Sequence, residues 1–334
     1  MAISNELLST TLYDIRDKEV DNLYKRTAFL DSCRKLNGVE TISGGIKIQR
    51  ALSFFEHSSL TQLVNGYEPI NLSVADTMVP AIYDWTDLVQ PVVISEKEES
   101  ENSGELAIIK ILEARMRNVM SHFKRDVNKQ ILQGGVTAAS NLNTLNGVLT
   151  GGFLENSAVG TQTGVVGGLS KATAPTRGWS NQFGDAVDAF GTNGLAQMYQ
   201  IHSGMTNVTA MGQFALAIAS GAGFQNYKRV IQANERYVDL KTLDAGRMAL
   251  AFADGVVEQD LDMPASAGAD EEYTMYFLNF DGIKLVIHGD YDFAVKPFET
   301  IPTHALRTAR VCWKGQLVAD HLGSQGVLVD GNTF

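Results

Sequence analysis

Hydrophobic and polar positions change their period several times along the chain, and each change marks a predicted element. Between residues 12 and 36, apolar residues stand at Leu12, Ile15, Leu23, Leu30 and Leu36 amid dense mixed charge, with Arg34 and Lys35 just ahead of Asn37-Gly38. That spacing predicts one exposed amphipathic helix ended by a turn. From residue 46 to 94 the helical period is lost: Gly44-Gly45 opens the stretch, and Gly66, Pro69, Pro80 and Pro91 punctuate aromatic and β-branched residues. A long, irregular β-hairpin or loop fits this pattern. The strongest period comes next, with Ile109, Leu112, Met116, Val119, Phe123, Val127 and Ile131 three or four residues apart, behind Asn102 and Glu105 at capping-box spacing. It predicts a helix over 103–133, stopped by Gly134-Gly135. At 1.5 Å per residue such a rod is about 46 Å long, well beyond an ordinary globular helix.

The rest of the chain alternates between glycine-rich and periodic stretches. Gly147, Gly151, Gly152, Gly160, Gly164, Gly167 and Gly168 predict a loop-rich region that regains pattern near Trp179. Short helices are predicted over 186–199 and 227–238, ahead of a strand over 248–252. Residues 273–278 and 283–288 alternate as a pair of strands around a turn at 279–282, 293–298 continues extended, and 310–313 and 326–329 supply the last strands. There is no internal repeat, and the elements add up to an α+β chain.

Composition narrows the function classes. With 334 residues, 44% hydrophobic and 19% charged, the chain is long and apolar enough to build a sizeable core, and two domains are expected. A net charge of −11 lacks the basic footprint of a sequence-specific DNA binder. The two cysteines, Cys33 and Cys312, make neither a disulfide framework nor a zinc motif, and a reducing cytoplasm is the simplest compartment. The first residues lack the pattern of a secretion signal. The most apolar stretch, 214–224, is broken by Ser220, Gly221 and Gly223 and is too short to cross a bilayer.

Catalytic and metal motifs are missing from the sequence. Its six histidines show no spacing that would set two imidazoles on one helix face, so no metal site and no cofactor is predicted. Gly164 to Gly168 lead into Ser170-Lys171 without the Gly-Lys pair of a phosphate loop, and no G-x-S-x-G elbow occurs. Glu96, Glu98, Glu99 and Glu101 lie just ahead of the long helix, where carboxylates favour the positive end of its dipole. On the rod itself, Lys110, Arg117, Lys124 and Lys129 stand out as cations in an acidic chain. They form a solvated face or a weak, salt-sensitive contact with a polyanion. The extended stretch carries Phe54, Phe55, His57, Tyr67, Tyr83 and Trp85. Aromatics on a projection need something to pack against, and a neighbouring subunit is the preferred cover.

The order of these elements, with several local strings, resembles the major capsid protein of tailed bacteriophages, which has the Hong Kong 97-like fold. The strings are Gly44-Gly45-Ile46, Gln90-Pro91-Val92-Val93-Ile94-Ser95 and Asn102-Ser103-Gly104-Glu105. Further on come Val166-Gly167-Gly168-Leu169-Ser170, Trp179-Ser180-Asn181, Gly315-Gln316-Leu317 and Ser324-Gln325-Gly326-Val327-Leu328. The resemblance implies an N-terminal arm over 1–43, an E-loop over 44–100 and a peripheral domain over 101–178 with its spine helix at 103–133. It further implies an axial α/β domain over 179–272, a peripheral-domain sheet over 273–300 and axial C-terminal strands over 301–334.

Such a chain is expected to self-assemble through hexamers and pentamers into an icosahedral head around double-stranded DNA, in a virion built in the host cytoplasm. The E-loop aromatics would lie on neighbours, and the spine cations would touch packaged DNA weakly. Its partners would be copies of itself, a separate scaffolding protein, a portal and a possible decoration protein. Some relatives join subunits by a Lys–Asn isopeptide bond using a nearby Glu. Lys47 and Lys97 flank the extension here without a matching Asn and Glu, so no cross-link is expected. The alternatives are an encapsulin shell, which shares the fold, and an unrelated soluble α/β enzyme.

Overall fold

The computed structural model describes residues 27–53, 66, 78–101, 105–133, 153–155, 157–172, 179–185, 190–208, 214–234, 240–242, 248–263, 273–300 and 305–330. The chain enters through α1 (Ala28–Lys35), β1 (Val39–Ile42), and the paired strands β2 (Lys47–Ser53) and β3 (Met78–Asp84). It continues through β4 (Thr86–Ser95), the short α2 (Glu96–Glu101), the long α3 (Glu105–Gln133) and a tight pair, β5 (Val165–Val166) and β6 (Leu169–Ser170). Next come β7 (Gln182–Asp185), α4 (Phe190–Val208), β8 (Leu216–Ala219), α5 (Gly221–Asn234), β9 (Leu240–Thr242), β10 (Met248–Phe252) and β11 (Gly255–Gln259). The last strands are β12 (Tyr273–Leu278), β13 (Ile283–His288), β14 (Ala294–Thr300), β15 (Leu306–Ala319) and β16 (Gly326–Asp330).

Two mixed sheets organise these elements. One has seven strands in the order β7-β16-β12-β8-β11-β10-β9; the other has five, β1-β13-β15-β14, with β4 on the far edge of β15. Both faces of the seven-stranded sheet are covered, which explains why β8 reads as an unbroken apolar run, with all four residues buried. Successive residues point to opposite faces. Leu216 and Ile218 of β8, with Tyr276 and Leu278 of β12, join the core shared with α1, α3 and the five-stranded sheet. Ala217, Ala219, Met275 and Phe277 join a second core under α4 and α5.

Helix α3 spans the molecule because its stripe is continuous: Met116, Met120, Phe123, Val127 and Ile131 are all buried. Phe123 meets Phe293 edge-on with ring centroids 5.6 Å apart. At 29 residues it begins two residues later than the predicted start and ends at the predicted Gln133.

Several expectations change. The predicted exposed helix over 12–36 is described only as α1, and residues 1–26 lie outside the described set. Most of it is not exposed: Ala28 to Cys33 are buried, with only Arg34 and Lys35 of α1 facing solvent, and Phe29 packs 6.1 Å from Phe280. Burial pushes the Cys33 thiol up to about 12, which leaves it un-ionised at neutral pH. The strands at 273–278 and 283–288 have the predicted bounds but are not a hairpin. β12 pairs with β8 and β16, whereas β13 pairs with β1 and β15. Their connection therefore crosses from one sheet to the other, and the block 273–300 is split between them.

The tail 301–334 is split likewise, because β15 lies in the five-stranded sheet and only β16 joins the seven-stranded one. β4, expected within the projecting loop, is paired with β15 along its whole length, from Leu306↔Ser95 to Gly315↔Thr86. Helix α4 runs from Phe190 to Val208 instead of ending at 199, and α5 starts six residues before the predicted 227.

The burial of α1 sets a test. Phe29→Ala should cost about 3–5 kcal/mol of unfolding free energy, the range for deleting a buried aromatic. Urea denaturation reads this directly. A loss within about 0.5 kcal/mol would return this segment to the surface.

Candidate functional site

The feature that stands apart from both sheets is the β2–β3 hairpin, a two-stranded antiparallel ribbon with Lys47 opposite Asp84 and Ser53 opposite Met78. Its strands alternate cleanly. Ile48, Leu52, Ala81 and Tyr83 are buried on the inner face, while Gln49, Ala51, Met78, Pro80 and Ile82 are exposed on the outer one. Met78 is 70% exposed and Ile82 43%. An isolated two-stranded ribbon is marginal in water, so its inner face must be anchored.

Three contacts anchor it, and a fourth ties its own two strands together. The Tyr83 hydroxyl donates to the Ala319 carbonyl at 3.1 Å, and burial pushes that phenol well above its usual range. The Ile82 N–H donates to the Gly167 carbonyl at 2.9 Å. Arg50 pairs with Glu40 and, at 3.4 Å, with Asp320. Lys47 pairs with Asp84 at 3.0 Å across the open end.

Gly167 makes the second anchor possible. Its φ of +61° lies in the left-handed region, and a Cβ there would strike both Tyr83 and Ala81. The β5–β6 turn that carries Gly167 is held from behind by a buried polar network. The Glu155 carboxylate accepts the Thr163 N–H at 2.9 Å and the Gly164 N–H at 3.1 Å. The Lys171 ammonium donates to the Phe153 carbonyl and to Asn181 Oδ1, both at 3.0 Å, and lies 3.6 Å from Glu155. Asn181 Oδ1 also accepts the Glu155 N–H at 3.0 Å. Burial pulls the Lys171 pKa down to about 8 against the attraction of Glu155. This is a structural fastener under the hairpin. Sequence reading noticed Ser170-Lys171 only as a failed phosphate loop, because partners 10 and 16 positions away leave no local spacing signal.

The named aromatics separate. Phe54, Phe55, His57 and Tyr67 lie outside the described residues. Tyr83 does not belong to a surface awaiting a neighbour: it is 1% exposed and packs 6.3 Å from Phe153 inside its own subunit. In a two-residue alternation it simply faces inward. Trp85 is half-buried at the hairpin root, where its indole N–H donates to the Gly45 carbonyl at 3.0 Å. The exposed apolar positions that sequence reading missed are Ile82 and Met78 on the ribbon and Val89 and Val93 on β4. Strand alternation was the available signal, once inner and outer faces were known.

The rod's cations separate too. Arg117 is exposed and Lys129 half-buried, while the side chain of Lys110 lies outside the described set. Lys124 is 3% exposed, which withdraws it from any polyanion-facing role. It faces a cavity of about 630 Å³ shared with Asp260 and Asp262. Arg125 pairs with Asp262 at 2.9 Å, and Arg115 binds Glu98 at 2.6 Å and the Val93 carbonyl at 2.8 Å. The acidic run forms α2 itself, and the Arg115 guanidinium holds the Glu98 carboxyl below its usual range. No group of three or more metal-ligating side chains occurs among the described residues.

No protein-family model and no curated protein matches the sequence. Solved structures match through the fold. The cyanophage A-1(L) capsid asymmetric unit is 17% identical, with 87% of this chain and 89% of that one covered at a TM-score of 0.57. The holo-SrpI encapsulin complex of Synechococcus elongatus is 10% identical, covering 89% and 85% at 0.53. A Mycobacterium phage Bobi structure is also 10% identical, covering 89% and 90% at 0.52. The chain therefore has the mixed α+β fold of capsid and encapsulin subunits, as the resemblance implied.

The buried lysine makes the fastener testable by pH. Between about 8 and the ordinary 10.5, the unfolded chain holds a Lys171 proton that the folded one has shed, so this group's contribution to stability rises with pH. Comparison with Lys171→Met cancels other titrations. The wild type should gain on the variant by on the order of 2 kcal/mol between pH 8 and 10 in chemical denaturation. A constant difference would mean that Lys171 is not desolvated.

Proposed function

We propose that this chain is the structural subunit of a closed shell, the icosahedral head of a tailed phage, assembled through hexamers and pentamers around double-stranded DNA. One observation carries the reading: a hairpin anchored by its inner face exposes Ala51, Met78, Pro80 and Ile82 on its outer face, uncovered among the described residues, on a fold matched along most of its length by a phage capsid. Exposed apolar surface of this kind is stable in water when a partner covers it. A second copy is the simplest partner, since symmetric assembly needs no further gene product to supply the complementary face.

The remaining partners follow from that reading: a separate scaffolding protein, a portal and any decoration protein, with assembly in the host cytoplasm. Contact with DNA is weak and independent of sequence, through Arg117 and Lys129 on α3 and through Lys110 if it faces inward. Exposed charges near 4 Å attract by only about 1 kcal/mol in water, and salt screens them over roughly 8 Å. A lining of that strength permits DNA to be packed and later released. The encapsulin reading is kept by the Synechococcus match, and contents separate the two. Purified particles holding nuclease-protected DNA support the phage head, and particles holding a protein cargo without DNA overturn it.

Two charge insertions test the interface. Ile82→Asp with Met78→Asp should leave the subunit folded, with its stability changed by about 0.5 kcal/mol or less, because both side chains already face solvent. Particle formation, followed by light scattering and electron microscopy, should fall at least tenfold. Normal shells from the double variant would remove the ribbon's outer face from the interface. Removing residues 54–77 should have the same effect, with far-UV circular dichroism and a cooperative melt retained. If fold and assembly are lost together, that segment belongs to the subunit's own core.

A further inference from the structure

At the root of the hairpin, two backbone donors converge on one imidazole. The Gly44 N–H donates to His288 Nε2 at 3.2 Å, and the Asp290 N–H donates to His288 Nδ1 at 3.3 Å. A neutral imidazole has a single lone-pair nitrogen and an imidazolium has none. One tautomer therefore holds Gly44, the other holds the 3-10 turn Gly289–Tyr291, and the protonated ring holds neither.

The surroundings make this choice consequential. Gly44 and Gly45 have φ of +88° and +91°, and nothing lies within 4 Å of where a Cβ on Gly44 would be, so the crossing from β1 to β2 has room to move. Trp85, on the other leg of the hairpin, stands edge-on to His288 with centroids 5.6 Å apart and holds the Gly45 carbonyl through its indole N–H. Tyr291 flanks the same ring at 5.4 Å. Both hairpin legs are thus tied to His288 and to each other.

We infer that His288 is a proton-gated latch that positions the Gly44–Gly45 crossing at the hairpin root, held when the ring is neutral with its proton on Nδ1 and released when it is charged. Histidine is the side chain whose charge ordinarily changes between pH 5 and 8. The charged groups around it shape the released state. Asp290 Oδ2, 4.0 Å from Nδ1, attracts the imidazolium toward the turn and away from Gly44. Lys296 sits 4.8 Å over the Tyr291 ring and Lys314 5.8 Å over the Trp85 ring, so the aromatic walls already carry cations on their outer sides. Lys314 is partly answered by Asp87 at 3.5 Å. On the inner side, the Ile82–Gly167 and Tyr83–Ala319 contacts involve no group that titrates in this range, and they stay closed. Release is therefore local: the crossing loosens and Trp85 loses its cover while the ribbon remains on the core. The latch acts within one chain, whether or not that chain assembles.

The test uses the full-length protein. Trp179 and Trp313 are each 1% exposed, so acrylamide quenching reads Trp85 selectively. Between pH 8 and 5.5 the Stern–Volmer slope should rise at least twofold in the wild type, with unchanged far-UV circular dichroism, and should stay flat in His288→Gln, whose amide does not titrate. Hydrogen exchange on the wild type gives a variant-free check. After correction for intrinsic rates, protection of the Gly44 amide should fall at least tenfold over the same range while that of Ile82 holds. A quenching slope that ignores pH, a His288→Gln protein that responds like the wild type, or Gly44 protection that does not change would each overturn the latch.

Discussion

The ladder along β15 is the interaction on which the rest of the molecule hangs. One edge of this 14-residue strand pairs with β14 over Arg307 to Cys312 and with β13 over Gly315 to Ala319, while the other edge carries β4. A single strand thereby fixes the floor under α3, the exit leg of the hairpin and the path into β16. Its inward residues Ala309, Val311 and Trp313 close the core from below. Backbone pairing in a buried sheet leaves little freedom of register, because a one-residue slip would turn every inward side chain outward. Ala319, at the strand's end, also receives the Tyr83 hydroxyl, so the ribbon is referenced to the same ladder.

Around that ladder the molecule divides its polar chemistry between fastening and exposure. Lys171, Glu155 and Asn181 are buried, mutually satisfied and support the turn that presents Gly167 to the ribbon. Such networks are costly when half satisfied, and this one is closed by backbone groups on several sides. Arg115 similarly joins Glu98 to the Val93 carbonyl, so a cation on the long helix caps the free edge of β4. Of the charges that the sequence offered to a polyanion, Lys124 is withdrawn into the subunit, while Arg117 stays exposed and Lys129 half-buried. Among the described residues, Met78, Ile82, Val89 and Val93 are left as exposed apolar side chains on the ribbon and on β4.

Much of this was legible without coordinates. The rod over 105–133, the strands at 248–252, 273–278 and 283–288, and the extended character of 47–53 and 78–94 all follow from the spacing of apolar residues, since a helix or strand that buries one face must repeat its hydrophobes at its own period. The helices α4 and α5 were less legible: the first was expected to end at 199, ahead of Gly204, and the second to start at 227, beyond Gly221 and Gly223. Tertiary contact explains Gly204, where a Cβ would strike Gln182, whereas a Cβ at Gly194 would strike Phe190 one turn earlier in the same helix.

By itself the sequence determined which segments are helical or extended, the absence of a catalytic or metal motif, and the order of elements that resembles a capsid subunit. Tertiary structure alone decided which strands are neighbours. β12 and β13, four residues apart, enter different sheets, and β4, whose Ser95 stands 211 positions before its partner Leu306 on β15, becomes part of the floor. It alone decided that Tyr83 and Lys124 face inward and that Lys171 finds Glu155 and Asn181. The reason is physical: periodicity reports that a residue has a buried side, whereas the identity of what buries it depends on chain segments hundreds of residues away, whose approach leaves no mark in local spacing.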